Sequence, residues 1–355
     1  MGNRVTNIAD QVVKWQVKHG RNTLPWQGKK DPYTIWVSEI MLQQTGVKTV
    51  IKYYENFLKR FPSTVSLANS SLDDVLQQWS GLGFYRRARN MHLAAQDIIK
   101  CRNGIFPDTY EDLVSLPGIG RSTAGAILVF AYEKKYPILD GNVKRLFARY
   151  FCVEGEYRDS KILKKLWNLS ELNVPENSVR EYTQGLMDLG AGVCSPKRPN
   201  CGECPLSATC KSLLYKKTST VPVKTKKSAI PTRETFMLIL IKNQELMMEK
   251  RPNEGIWAGL LSFPEFISQE ALNSYLISNL SFKIKTTHRL APLVHNFSHY
   301  RLVIYPTIAK INVLSKYPKL GGGAVWLEFA CAVGSAIPAP IRKLITKNLF
   351  TNTKS

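Results

Sequence analysis

From residue 7 to about 212, apolar positions recur at spacings of three and four, as in Ile8, Val12 and Trp15 and again in Val50, Tyr54, Phe57 and Leu58. That spacing predicts a succession of amphipathic helices. Short turn signals separate the runs: Asp31-Pro32, Phe61-Pro62-Ser63, Gly81-Leu82-Gly83, Phe106-Pro107-Asp108 and Leu116-Pro117-Gly118. Helices joined so briefly make an all-α region. The pattern stops over residues 211–233, which carry Lys211, Lys216, Lys217, Lys224, Lys226, Lys227 and Arg233 with no acidic residue. This is linker composition. Beyond it, TFMLILIKNQELMMEKR and HRLAPLVHNFSHYRLVIYPTIAKI each read as strand, turn and strand, while 270–280 and 338–349 have helical spacing. The last third is therefore expected to be a separate α+β domain.

Charge changes the picture from fold to partner. Forty-nine Lys and Arg against 27 Asp and Glu give a net charge of +22 and a pI near 9.7. A chain this basic is expected to meet a polyanion, most often nucleic acid. At 355 residues it exceeds what one core organises, so more than one domain is expected. The N-terminal stretch lacks the apolar centre of a signal peptide and no apolar run is long enough to cross a bilayer. The expectation is a cytoplasmic protein without membrane contact.

Four of the seven cysteines crowd into CSPKRPNCGECPLSATC, where Cys194, Cys201, Cys204 and Cys210 leave gaps of six, two and five residues. Thiolates this close can gather around one soft metal centre. Structural zinc sites usually bring two close pairs separated by a longer stretch. One compact loop with a single close pair better suits an iron–sulfur cluster. Cys101, Cys152 and Cys331 stand singly and read as core residues.

The stretch LPGIGRSTAGAIL has two glycines just ahead of an apolar helical run. Arg121-Ser122 does not supply the Lys-Ser/Thr pair of a nucleotide-binding loop, and the preceding segment is helical rather than extended. What remains is a hairpin between helices, either a plain turn or a clamp whose free amides hold a DNA phosphate. Elsewhere, YTIWVSEIMLQQT places a single carboxylate, Glu39, among apolar neighbours. Burial there would raise its pKa and suit it to act as a general acid, although most helical glutamates are solvated. Asp140, in YPILDGNVKRLF, precedes a helical run and reads either as a helix cap or as a second catalytic carboxylate.

The order SEIMLQQT, GLGFYRRARN, LPGIGRSTAGAIL, ILDGNVKR and the four-cysteine loop resembles the helix–hairpin–helix DNA glycosylase superfamily and, within it, the adenine DNA glycosylases. The resemblance covers nearly the whole chain, and its motifs are specific in combination. It implies an all-α helix–hairpin–helix core with a [4Fe–4S] cluster loop, followed by a C-terminal α+β domain of Nudix-like fold. The implied boundaries are residues 1–25 with 139–212 for the cluster domain and 26–138 for a six-helix domain. A basic linker at 213–232 and a lesion-recognition domain at 233–355 complete the chain. Glu39 matches the general acid, Asp140 the carboxylate that stabilises the sugar cation, and Asn142 an assisting polar residue. Trp26, Gln27 and Gln184 match the base pocket. Gln43, Gln44, Phe84, Tyr85, Gly118, Gly120 and Ser122 match residues at the DNA, Gln44 as the side chain that wedges into the base stack. Phe84 stands where the family usually has a tyrosine, which keeps a stacking ring and loses a hydroxyl. Cys194, Cys201, Cys204 and Cys210 match the cluster ligands, and Phe297-Ser298-His299 the loop that recognises 8-oxoguanine.

The implied activity is removal of adenine mispaired with 8-oxoguanine or guanine in double-stranded DNA, by a monomer using no nucleotide cofactor. An endonuclease III-like lyase would need a lysine nucleophile in the hairpin, where this chain has Ser122. A Nudix hydrolase would need an acidic helix after RPNEGIWAGLLSFPE, and FISQEALNSYLIS does not supply it. A DNA-binding protein without catalysis is disfavoured by the intact Glu39 and Asp140.

Overall fold

The computed structural model describes residues 8–223, 229–278, 282–297, 299–313 and 323–348. These fall into two compact units, one of residues 8–69 with 90–223 and the other of 70–89 with 229–348. In chain order the helical elements are α1 (Ile8–His19), α2 (Pro32–Leu42), α3 (Val47–Arg60), α4 (Thr64–Ala68), α5 (Leu72–Gln78) and α6 (Arg86–Cys101). They continue with α7 (Tyr110–Ser115), α8 (Arg121–Tyr132), α9 (Gly141–Phe151), α10 (Ser160–Leu172), α11 (Val179–Asp188) and α12 (Lys211–Leu214).

The first unit is helical, as the spacing predicts, and α2 runs through its centre. Pro32 opens that helix and the Asp31 carboxylate caps it, accepting from the amides of Tyr33 and Thr34. Ile35, Trp36, Val37, Ile40 and Met41 are all buried, each stabilising the fold by roughly 1.5–3 kcal/mol. Helix α8 packs on α2, and its run from Ala124 to Val129 is buried on every face. Gly125 has a specific reason to lack a side chain: a Cβ there would overlap the carbonyl oxygen of Pro137. The extended segment before α9 thereby lies close against α8. A second core gathers α1, α9, α10 and α11 around Val12, Leu146, Phe147, Leu166 and Tyr182. Residues 217–223 lie within the basic stretch but fold back, with Val221 only 1% exposed. The positive charge there does not by itself make a free tether.

The second unit is built on a mixed sheet of β1 (Thr232–Lys242), β2 (Glu245–Lys250), β3 (Leu261–Ser262), β4 (Glu265–Phe266), β5 (Phe282–Arg289), β6 (Leu293–Asn296), β7 (Arg301–Val313) and β8 (Ala324–Glu328). Strands β1 and β7 pair in parallel, from Thr232 opposite Arg301 to Ile241 opposite Lys310. The predicted β1–β2 hairpin forms with Asn243 at positive φ in its turn. Helix α13 (Gln269–Ser278) sets Leu272 and Leu276 against Leu238, Leu240 and Ile311 of the sheet. Helices α14 (Phe329–Gly334) and α15 (Ala339–Asn348) follow. Residues 70–89 belong to this unit although their spacing is that of the helical region. No described helix is long and apolar enough to cross a membrane.

Candidate active site

Helix α2 carries Glu39 to the wall of a cavity of about 840 Å³ in the first unit, bordered also by Trp26, Gln27, Ser38, Gln184 and Arg21. Burial among apolar neighbours penalises the charged form, and the nearby Asp140 carboxylate adds repulsion. The Glu39 pKa is pushed up to about 8. Asp140 caps α9, accepting from the amides of Asn142 at 3.0 Å and Val143 at 2.7 Å. Its pKa is also raised, by burial, against the lowering effect of those two amides and of Arg145 and Lys144. The helix cap and the candidate second carboxylate are therefore one residue. The environments separate the two acids: among the described residues Glu39 has no such amide donors and stays protonated near neutrality, whereas Asp140 faces a helix N-terminus that favours its anion.

The approach to Asp140 is pinned from three sides. Ser122 Oγ accepts from the Leu139 amide at 3.1 Å, Ser170 Oγ donates to the Ile138 carbonyl at 2.8 Å, and Gly125 admits Pro137. Ser122 therefore has a structural task beside its position in the hairpin. Asn142 Nδ2 reaches Asp140 at 3.5 Å, a long contact, and its Oδ1 accepts from Arg145 at 2.9 Å. Gly120 is the N-cap of α8, and Gly118 has φ +84 with Asn90 so close that a Cβ would lie 2.8 Å from that side chain. Gln43 closes the C-terminal end of α2 and donates to Thr123 at 3.3 Å; Gln44 follows it, exposed and at φ +57.

Trp26 is buried and meets Tyr54 edge-on at 5.4 Å. The Gln27 oxygen accepts from the Leu24 amide at 3.0 Å, while its buried Nε2 has no hydrogen-bond partner among the described residues. A buried amide left open costs about 1–3 kcal/mol. Gln184 Nε2 donates to Asp188 at 2.9 Å. Asp188 also receives the Arg21 amide at 2.9 Å and its guanidinium at 2.6–2.7 Å. The sequence reading misses Arg21 and Asp188. The one available signal is Asp188 four residues after Gln184 in an otherwise apolar helix end.

In the second unit, Phe84 is 48% exposed and Tyr85 is buried. Phe297 closes the turn between β6 and β7, its amide donating to the Tyr300 carbonyl at 2.9 Å. Its ring stands 5.3 Å from Trp257, 4.6 Å from His295 and 6.2 Å from His299. Ser298 lies outside the described residues.

Cys194, Cys201, Cys204 and Cys210 border one cavity in the first unit, together with Arg149. Among the described residues no three His, Cys, Asp or Glu side chains are spaced as a single-ion site. Burial, with the neighbouring thiols adding to it, pushes the Cys204 thiol up to about 11 and raises that of Cys210. Four thiolates so placed need a positive partner. Arg149 is 4% exposed and holds Nη1 3.4 Å from Cys194 Sγ. A soft donor set beside a buried cation fits a polynuclear iron–sulfur group of net negative charge.

Residues 37–171 match the HhH-GPD superfamily base excision DNA repair protein, and residues 235–347 match the NUDIX domain. An adenine DNA glycosylase of Buchnera aphidicola from Acyrthosiphon pisum is 40% identical over 342 residues, covering 96% of this chain and 97% of the relative. The human adenine DNA glycosylase is 29% identical over 95% of this chain and 74% of its own length. A thermostable thymine-DNA glycosylase superposes with a TM-score of 0.54 at 28% identity, covering 58% of this chain and 95% of that one. Endonuclease III in a trapped covalent DNA intermediate gives 0.51 at 20% identity, covering 59% and 94%, and shares the helical fold. With a buried acid beside a carboxylate that caps α9, and a relative matched end to end, this chain belongs to the adenine DNA glycosylases of the HhH-GPD superfamily of base excision repair enzymes.

Proposed function

We propose that the protein, acting as a cytoplasmic monomer on double-stranded DNA, hydrolyses the N-glycosidic bond of adenine mispaired with 8-oxoguanine or guanine and leaves the strand intact at an abasic site. The observation that carries this reading is Glu39, protonated near neutrality on the wall of a cavity that already presents an open amide donor. The adenine must leave the stack to reach it, and an interior pocket of this kind suits a flipped base. Glu39 donates its proton to the departing base. The Asp140 anion stabilises the sugar cation, and Glu39, now ionised, draws a proton from the attacking water. Gln27 and Gln184 orient the base, and Gly118 and Gly120 seat a phosphate at the start of α8. Phe297, Ser298 and His299 read the opposite base. Cys194, Cys201, Cys204 and Cys210 hold a [4Fe–4S] cluster, which shapes the loop carrying Lys197 and Arg198 towards DNA.

Duplexes differing only in one base pair test the reading. Free adenine is expected from the duplex pairing adenine with 8-oxoguanine, and its absence from protein with a full iron content rejects the reading. Strand cleavage has a separate test. Ser122 sits one hydrogen bond from the residue preceding Asp140, so a lysine there starts beside the sugar-facing carboxylate. Ser122→Lys is expected to give a covalent DNA adduct on borohydride treatment where the wild type gives none. A trapped wild-type adduct of equal yield shows that water is not the sole nucleophile.

A further inference from the structure

The turn that presents Phe84 is strained and protrudes. Gly81, Gly83 and Phe84 have φ of +100, +77 and +49. Positive φ is free for glycine, but for a bulky aromatic it persists only where the surroundings enforce it. Part of the enforcement is local: Trp79 Nε1 and Arg87 Nη2 both donate to the Gly83 carbonyl, at 3.0 and 3.1 Å, and Arg87 lies 5.3 Å over the Phe84 ring.

The rest comes from residues some 250 positions further along the chain. Ser80 Oγ donates to the Ile337 carbonyl at 3.0 Å and accepts from Arg342 Nη2 at 2.8 Å. Tyr85 Oη donates to the same carbonyl at 3.3 Å and accepts from the Gly81 amide at 3.2 Å. Arg342 is itself fixed on the Val333 and Ser335 carbonyls. Further back, Gln77 donates to the Gly334 carbonyl at 2.6 Å, and Lys250 pairs with Asp73 at 2.7 Å. One buried carbonyl, that of Ile337, therefore takes a hydroxyl from each end of the turn. The turn is anchored to the start of α15, in the same unit that carries the aromatic group of Trp257, His295, Phe297 and Tyr300.

We propose that Ser80 and Arg342 are positioning residues for the choice of mispair. They lock the Phe84 turn to the C-terminal domain, so that the protruding ring and the turn at Phe297 approach the opposite base as one body. This rests on the mispair reading above. A loop free to move on its own would pay an ordering cost when it inserts at the lesion, whereas a preformed one keeps that energy for discrimination.

Ser80→Ala in the full chain removes the Ser80 arm of the lock, its bonds to the Ile337 carbonyl and to Arg342, with the least change of volume, and Arg342→Gln removes the bond between them from the other side. In each, the ratio of adenine release from 8-oxoguanine-paired to guanine-paired duplexes is expected to fall about fivefold, the worth of roughly one hydrogen bond, with the melting temperature kept. A role confined to stability would lower both rates together and leave the ratio alone, and a ratio unchanged in both variants overturns the inference. Hydrogen exchange on the DNA-free protein gives a readout independent of catalysis. Peptides covering 79–86 are expected to exchange faster in Arg342→Gln, and equal exchange overturns the proposed lock. A wild type that releases no adenine from either duplex rejects the mispair reading, while a discriminating wild type matched by equally discriminating variants rejects only the lock.

Discussion

Glu39→Gln is expected to abolish adenine release, by a factor of about 10³ or more at the upper range of general acid–base catalysis, while duplex affinity stays within about threefold. The amide keeps the shape of the protonated acid and donates hydrogen bonds, but it has no proton to give to the base and cannot then accept one from water. The wild type should hold its rate up to about pH 8 and lose it above, as the carboxyl ionises. Stability gives an independent check with a definite sign. The folded-state pKa lies above the ordinary 4.5, so the neutral form is favoured by folding. That contribution is complete below pH 4.5 and is lost as pH rises through about 8. A pKa change of one corresponds to about 1.4 kcal/mol, lessened by the side chain's contact with the open cavity. Glutamine escapes this loss at every pH. Glu39→Gln should therefore melt above the wild type at pH 9 by several degrees and close to it at pH 5. Equal melting at both pH values would show that the carboxyl is ionised without cost and is no general acid. Equal base release by mutant and wild type would remove Glu39 from the chemistry altogether.

Glu39 is legible in the sequence because a single carboxylate in a run as apolar as IWVSEIML must either be solvated at a helix edge or be buried for a purpose. Asp140 is legible only as a choice between cap and catalyst, and the structure shows a carboxylate that caps α9 and acts on Glu39 electrostatically at once. Spacing could not reveal the Asp188 network, because Arg21 and Asp188 stand 167 positions apart and only the packing of α1 on α11 brings their elements together. The same limit hides the allegiance of residues 70–89. Helical periodicity tells which face of α5 is buried, not that Gln77 meets Gly334 or that Ser80, just past the helix, meets Ile337 and Arg342 at the far end of the chain. Local pattern fixes elements and faces. Long-range hydrogen bonds, which have no period, fix what those faces meet.

Arg149→Leu is expected to have the largest effect outside the base pocket, and it tests the cluster. Arg149 stands on α9 at a position whose neighbours Leu146 and Phe147 are core, which reads as an ill-placed charge. The guanidinium gives Nε to the Val221 carbonyl at 2.9 Å, Nη1 to that of Ser195 at 2.7 Å and Nη2 to that of Pro196 at 3.2 Å. It thereby ties together α9, the start of the cysteine loop and the segment that folds back after α12. No carboxylate pairs with it among the described residues. A buried cation held only by carbonyls would cost several kcal/mol of desolvation, a cost that the four cysteines beside it would offset if they hold a cluster as thiolates. Leucine fills similar space but leaves three carbonyls without donors and the thiolates without a cation, a loss of about 3–5 kcal/mol. Iron per chain and visible absorbance should fall together, with a lowered melting temperature. Arg149→Lys should recover part of the iron and little of the melting temperature, since an ammonium restores charge but not the planar fork that reaches three carbonyls at once. Full iron and unchanged melting in Arg149→Leu would show that the thiolates are neutralised by another group. Zinc in place of iron in the wild type would reassign the four cysteines.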